Sequence, residues 1–425
     1  MTEQTPEADA RTRDAADPLG RFRERFLIPN EQGREKAYFC GNSLGLQPRG
    51  VREALETELD TWATIAVDGH FRGPHPWMHY LDGLRDNLAE VCGALPIEVT
   101  AMNSLTVNLH LMMASFFRPT PTRNAILIES GAFSSDRHAV TSQLRHHGLD
   151  PTECLIELDG DEPAGTVSMA ELERAIAENA ERLALVMLPG VQYRTGQAFD
   201  IGTITRLGHA AGARVGFDLA HAIGNLDLHL HEDGPDFAVW CHYKYINAGP
   251  GAIAGAFVHE RHARTGLPRL AGWWGHEPQT RFLMGPDFVP TPGAEGWMLS
   301  NQAILSLAPL RVALELFHEA GMPALREKSL RLTSYLEALI GERLADILQI
   351  VTPTEPERRG AQLSLRVLGG RERGRALFEH LIARDIVGDW REPDVIRISP
   401  APLYNRHLEV LRFVQAVESW RAATG

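Results

Sequence analysis

Two side chains near the middle of the chain have the types and spacing that suit covalent chemistry. The run Arg-Val-Gly-Phe-Asp-Leu-Ala-His at 214–221 puts Asp218 at the end of an apolar stretch. The run Trp-Cys-His-Tyr-Lys-Tyr at 240–245 puts Lys244 at the end of another. Sheets of the α/β class bind ligands at the carboxyl ends of their strands, so both groups fall where a flat cofactor would lie. An amine that can form an imine, with a carboxylate that can keep a pyridine nitrogen protonated, is the pair that pyridoxal phosphate chemistry requires. A plainer reading makes Asp218 a helix cap and Lys244 a surface charge, and spacing alone leaves both open. The aromatic neighbours of Lys244, and Gly249, Gly251 and Gly255 after it, fit a surface position poorly.

Other residues could complete such a site. Asn103, Ser104, Leu105 and Thr106 precede an apolar helix predicted over 107–117, and backbone N–H groups at a helix start bind phosphate. The same stretch also reads as an ordinary Ser/Thr helix cap. Phe133 and Asp136 follow a predicted strand at 125–129 and should share its sheet edge, where an aromatic ring can stack on a cofactor. His70, His75 and His79 lie close together, but Pro74 and Pro76 interrupt any helix and no cysteine or carboxylate cluster joins them, so no metal site is expected.

Strands that position these groups are predicted at 125–129, 154–158, 183–188, 214–217, 237–241 and 253–258, with helices over 168–181 and 201–211. The alternation implies an α/β fold whose central, mostly parallel sheet is covered by helices on both faces. A helix with Val51, Leu55, Leu59, Trp62 and Ala66 on one face precedes it. After an irregular Trp/Gly/Pro-rich connection at 272–296 come two long helices. A strand with alternating Leu363, Leu365 and Val367, a further helix, a strand at 395–399 and a last helix complete a smaller α+β unit. The expected divisions are a disordered tail at 1–20, a segment at 21–70 packing on the small domain, a large cofactor-binding domain at 71–300 and a small C-terminal domain at 301–425.

A formal net charge of −13 argues against nucleic acid as a partner. No run approaches the ~20 apolar residues of a membrane span, and the polar start fits neither a signal nor a transit peptide. Cys40, Cys92, Cys154 and Cys241 are far apart and form no CxxC pair, which points to reduced thiols and a cytoplasmic protein.

Taken in order, these and further segments resemble the kynureninase family, of the aspartate aminotransferase fold (type I). The matching stretches are 41–48 (Gly-Asn-Ser-Leu-Gly-Leu-Gln-Pro), 102–110, 190–197, 216–221, 243–249, 272–276 (Gly-Trp-Trp-Gly-His), 299–302 and 396–404, running from about Tyr38 to Asn405. The resemblance implies a homodimeric pyridoxal 5'-phosphate enzyme that splits the Cβ–Cγ bond of L-kynurenine, or its 3-hydroxy derivative, hydrolytically. In that pattern Lys244 is the Schiff-base lysine, Asp218 holds the pyridine nitrogen with His221 beside it, and Phe133 stacks on the ring near Asp136. Leu105 and Thr106 hold the phosphate, and Tyr243 touches it and serves as acid and base. Trp273 and Asn301 reach the cofactor from the partner subunit. Ser43, His70 and Asn301 lie near the aryl ketone, Arg397 pairs with the α-carboxylate, and Arg391 has a structural role.

Two departures stand out: Ser134 replaces a proline of the family pattern, and Pro189 stands where some relatives carry serine, so no contact is inferred from it. A cysteine desulfurase or aminotransferase on the same fold, or a cofactor-binding protein without catalysis, are the alternatives. The first needs a nucleophilic cysteine in a loop, whereas all four cysteines lie in or beside apolar runs.

Overall fold

Uninterrupted apolar runs become strands covered on both faces. In the computed structural model, which describes residues 5–160 and 165–424, such runs build a seven-stranded sheet. Its strands are β1 (Val99–Ala101), β2 (Ala125–Glu129), β3 (Leu155–Leu158), β4 (Leu183–Pro189), β5 (Arg214–Asp218), β6 (Phe237–Cys241) and β7 (Ala254–Val258). Their spatial order is β3-β2-β4-β5-β6-β7-β1. Strands β2 to β6 run parallel, and β7 runs antiparallel to both its neighbours. The α/β class with a mostly parallel sheet therefore holds.

Helices Ser134–His146, Met169–Glu178 and Ile201–Ala210 make the crossovers that parallel strands require. Two of these are fixed at their starts by the sequence. Ser168 and Glu171 form a reciprocal capping box, and Asp200 accepts from the Thr203 N–H at 2.9 Å. Within the sheet, Gly216 lets β5 approach β6: a Cβ there would stand 2.1 Å from the Phe237 ring. The predicted strands recur within a residue or two at each end. Strand β1 was not anticipated, because three residues give no readable alternation.

A second sheet joins β8 (Leu348–Ile350), β9 (Leu363–Val367), β10 (Asp389–Arg391) and β11 (Val395–Ile398) in the order β8-β9-β11-β10, all antiparallel. Helices Met322–Arg343, Gly370–Ile382 and His407–Thr424 pack with it. The apolar core falls into two clusters, one around each sheet. Their division differs from the expected boundaries. Helix Ile304–Ala320 buries Leu307, Leu310 and Phe317 in the larger cluster, although it follows residue 301. The segment at 21–70 is shared: Phe22, Phe26, Leu46 and Val51 enter the larger cluster, while Ala37 and Phe39 enter the smaller one.

The expected disordered tail at 1–20 also needs correcting where it is described; residues 1–4 lie outside the described residues. Residues Pro6–Ala15 form a helix against helix His407–Thr424. Its local sequence buries only Ala10, so periodicity could not reveal it. Long-range polar contacts fix it instead. Asp14 accepts from the His407 N–H at 2.7 Å and the Leu408 N–H at 3.1 Å, capping the last helix from outside. Asp17 pairs with Lys328 at 2.6 Å, with both side chains no more than 5% exposed. Helix Val51–Ile65 forms as predicted, but Leu59 and Trp62 on its apolar face stay exposed.

The Asp17–Lys328 pair generates a prediction. Asp17→Ala leaves the Lys328 ammonium buried without its carboxylate, which costs about 3–5 kcal/mol. Urea unfolding followed by circular dichroism should show a clearly lowered midpoint; an unchanged midpoint would mean that the pair contributes nothing.

Candidate active site

The C-terminal edge of the sheet gathers a cavity lined by Leu105, Thr106, Glu129, Phe133, Ser135, Asp136, Pro189, Val191, Tyr193, Asp218, Ala220, His221, Tyr243 and Lys244. Strand β5 ends on Asp218. Its Oδ1 accepts from the Ala220 N–H at 2.7 Å, and its backbone carbonyl accepts from the Gly190 N–H at 2.7 Å. Lys244 follows β6 in a tight turn that includes Asn247 at φ 65°. The turn is clamped from outside. The Gly45 N–H donates to the Tyr243 carbonyl at 2.8 Å, and a Cβ on Gly45 would stand 2.3 Å from the Lys244 carbonyl oxygen. The 41–48 stretch therefore needs glycine at 45 so that its backbone can lie against the lysine turn.

Three carboxyl groups meet in this cavity: Glu129 and Asp218, both buried, and the part-buried Asp136. Burial pushes Glu129 up to about 8, with Asp218 adding to the shift. Burial and the neighbouring carboxylates raise Asp136 strongly. Asp218 is also raised by burial, but its bond from Asp136, the Lys244 charge and the Ala220 N–H all pull it back. Asp136 is thus the more strongly raised of the two, and Asp218, facing Lys244 and the Ala220 N–H, is the more readily ionised. Lys244 Nζ lies 6.0 Å from the Phe133 ring centroid and 5.8 Å from that of Tyr243. Burial raises the Tyr243 phenol, so it keeps its proton and is a donor at neutral pH.

Two helix starts also face the cavity. Helix Leu105–Phe116 and helix Ser134–His146 both begin without a side-chain cap, and Thr106 Oγ1 meets Ser135 Oγ at 2.8 Å. Two hydroxyls between two uncapped helix N-termini form a place for a phosphate dianion. The helix-cap reading of Ser104 does not hold, since its hydroxyl makes no cap bond. Asn103 turns the chain here at φ 49°, with its Nδ2 donating to Asn108 Oδ1 at 3.0 Å. The cavity thus fits pyridoxal phosphate, since its lining combines a phosphate seat, buried carboxyl groups, the Phe133 ring and Lys244. An unsatisfied group supports the fit: His221 is 7% exposed, its Nδ1 has no partner, and burial with Lys244 keeps its ring neutral.

Of the sequence-predicted residues, Leu105, Thr106, Phe133, Asp136, Asp218, His221, Tyr243 and Lys244 line this one cavity. Ser43 and Arg397 sit behind it, joined through Tyr193, whose carbonyl accepts from Arg397 Nη1 at 2.6 Å. Trp273, His70 and Asn301 are not in its lining. Trp273 packs edge-on to Phe282 at 5.6 Å, His70 lies against Trp77 at 5.3 Å, and Asn301 is exposed in a separate groove with Asn103 and Gly251. Sequence reasoning missed Glu129, Ser135, Val191 and Tyr193, and drew no contact from Pro189. Glu129 and Pro189 could have been found as the last residues of strands β2 and β4.

Directly before the lysine turn, His242 is fully buried, accepting from Trp240 Nε1 at Nε2 (2.7 Å) and bonding the Ile253 carbonyl through Nδ1 (2.6 Å). Burial pushes it down to about 4. Because the folded value lies below the unfolded value of about 6.5, the neutral ring stabilises the fold fully above pH 6.5. That stability falls as pH drops through about 4, by roughly 3 kcal/mol in all. Replacing His242 by Gln should flatten the acid limb of a stability-against-pH curve between these values; an unchanged limb would assign it to other groups.

Comparison with known proteins agrees with this geometry. Residues 325–417 match the model of the kynureninase C-terminal domain. The chain is 64% identical over 423 residues to a kynureninase of Xanthomonas euvesicatoria pv. vesicatoria (strain 85-10), covering 100% of both chains. It is 64% identical to a kynureninase of Stenotrophomonas maltophilia (strain K279a), covering 96% of each. Solved structures with the same fold include a cysteine desulfurase from Escherichia coli, with a TM-score of 0.75 at 16% identity over 95% of this chain and 98% of that one. Another is a cysteine desulfurase from Thermococcus onnurineus NA1, with a TM-score of 0.73 at 18% identity over 91% and 95%. The desulfurases share the fold alone, whereas near two-thirds identity across the full length goes further: the chain belongs to the kynureninase family.

Proposed function

We propose that this chain hydrolyses the Cβ–Cγ bond of L-kynurenine, or of its 3-hydroxy derivative, to anthranilate, or 3-hydroxyanthranilate, and L-alanine with pyridoxal 5'-phosphate. The observation that carries the reading is the meeting of Lys244, Asp218 and two uncapped helix starts in one cavity of a chain of this family. Bound there, the cofactor supplies an aldehyde that holds the substrate amine and a ring that accepts the electron pair released at Cα.

The chain's own groups do the rest. Thr106 and Ser135 hold the phosphate with the helix N–H groups. Asp218 holds a proton on the pyridine nitrogen, and Asp136, raised strongly by burial and its carboxylate neighbours, competes less for that role. Phe133 supplies the stacking face. Lys244, once free, takes the Cα proton and returns it. Tyr243, with its proton held, donates to the ketone oxygen as water adds, and the split of the Cβ–Cγ bond then leaves the aryl carboxylate and a three-carbon fragment that is protonated to alanine. Arg397 receives the α-carboxylate through a planar pair of donors.

We also propose a homodimer with shared sites. Phe71, Leu270, Phe282, Leu283 and Met284 are exposed apolar side chains, and exposed apolar surface of this extent favours a partner. Trp273, His70 and Asn301 would complete the cavity of the other subunit. The four cysteines are unpaired, which supports a reducing cytoplasmic setting. Among the described residues no helix is long and apolar enough to cross a membrane.

A desulfurase reading is disfavoured by the thiols. Cys92, Cys154 and Cys241 are buried, and burial with Asp389 raises Cys40 to about 11, away from the thiolate a nucleophile needs.

Anthranilate fluorescence from added kynurenine tests the activity, and sulfide release from cysteine should be absent. Lys244→Ala should abolish turnover, and borohydride treatment of the loaded wild type should leave the cofactor mass on the Lys244 peptide. A label on another peptide would sink the assignment. Arg397→Ala should raise KM by the equivalent of about 2–5 kcal/mol, with a smaller change in kcat.

A further inference from the structure

The arginine assigned to the substrate's α-carboxylate already holds one. Arg397 is 1% exposed, its Nη2 pairs with Asp389 Oδ2, and the same Nη2 lies 3.3 Å from Ser43 Oγ. Ser43 donates to that Asp389 oxygen at 2.6 Å. Arg391 adds a bond from Nη2 at 3.0 Å and places Nε 2.9 Å from Oδ1. Asp389 thus occupies two guanidinium groups and a hydroxyl, the donor set a free carboxylate would seek.

The charge balance at this point is uneven. Cys40 Sγ stands 4.0 Å from Asp389 and stays a neutral thiol, and the nearby His221 ring is neutral. Two cations therefore share one anion, and one further carboxylate would bring the group to neutrality. Arg397 does not line the cavity, whereas Tyr193, which accepts its other bond, does. Asp389 stands directly opposite Arg397 in the ladder between edge strand β10 and β11, so releasing the guanidinium requires its side chain to turn and not the strand to leave the sheet.

We infer that Asp389 is a resident competitor for the substrate's carboxylate. It keeps Arg397 occupied and oriented in the ligand-free enzyme, yields the guanidinium when an α-amino acid enters, and thereby sets the affinity for that end of the ligand. Its proximity to the incoming anion weakens binding by like-charge repulsion, so the enzyme holds both its substrate and its amino-acid product less tightly than Arg397 and Arg391 alone would. The inference rests on the carboxylate role proposed for Arg397.

The test uses the cofactor-loaded enzyme and two probes, L-alanine and L-alaninamide, which differ only in the carboxylate. Binding is read from the change in cofactor absorbance, without turnover. Asp389→Asn should tighten L-alanine by about tenfold and leave L-alaninamide within about twofold. Weaker or unchanged alanine binding, with amide binding as in wild type, overturns the competitor role and makes Asp389 a support for Arg397. Arg397→Lys tests the underlying assignment separately: it should shrink the preference for alanine over its amide, and an unchanged preference removes Arg397 from the carboxylate site altogether. If Asp389→Asn does not fold or load, the wild-type crystal structure with L-alanine decides. A ligand carboxylate on Arg397 with Asp389 withdrawn supports the inference, and Asp389 still on Arg397 overturns it.

Discussion

The cost of burying charge at the carboxyl edge of the sheet governs the centre of this molecule. Glu129, Asp136 and Asp218 converge there with Lys244 as the cation. Three ionised carboxylates could not share so dry a space, and the conflict is settled by protons. Asp136 is raised most strongly, Glu129 is pushed toward neutrality, and Asp218 is held back because Lys244 and the Ala220 N–H face it. One directed negative charge is what a pyridinium nitrogen requires. The fold thus favours ionisation of Asp218 over its two neighbours.

That balance depends on backbone positions, not flexible side chains. Asp218 ends a strand held by parallel neighbours on both sides, and its carbonyl is bonded to Gly190. Lys244 sits in a turn braced from below by His242 and from outside by Gly45. Tyr245 of the same turn bonds Ser399 at 2.8 Å, tying it to the end of β11. The lysine is therefore fixed by three parts of the chain far apart in sequence. The substrate arm is built differently. Arg397 lies on β11 of the smaller sheet, outside the cavity lining, and its bond to the Tyr193 carbonyl links that sheet to the cavity wall.

The same logic of long-range polar contact explains the largest departure from expectation. The first residues are charged and lack an apolar stripe, which reads as a tail. Yet Asp14 caps the last helix, and Asp17 neutralises a buried lysine. Partners at 328 and 407 cannot be paired with 14 and 17 by inspecting either stretch. Trp273, His70 and Asn301 pose the converse problem: the motifs that carry them are readable, but their places in one subunit lie away from its cavity.

The order of residues alone determined the sheet, through its continuous apolar runs. It also offered Asp218 and Lys244 as a candidate pair, because strand ends bring such residues to one edge, although spacing alone left a plainer reading open. Helix starts at Ser168 and Asp200 were written locally, in caps a few residues long. Only the tertiary structure decided that three carboxyls crowd one site, that Ser135 Oγ meets Thr106 Oγ1, that Glu129 and Tyr193 line the cavity, and that Asp389 already occupies Arg397. Each of those facts rests on groups brought within a few ångströms from distant parts of the chain. Electrostatics and hydrogen bonding act over that distance, and local periodicity carries no record of it.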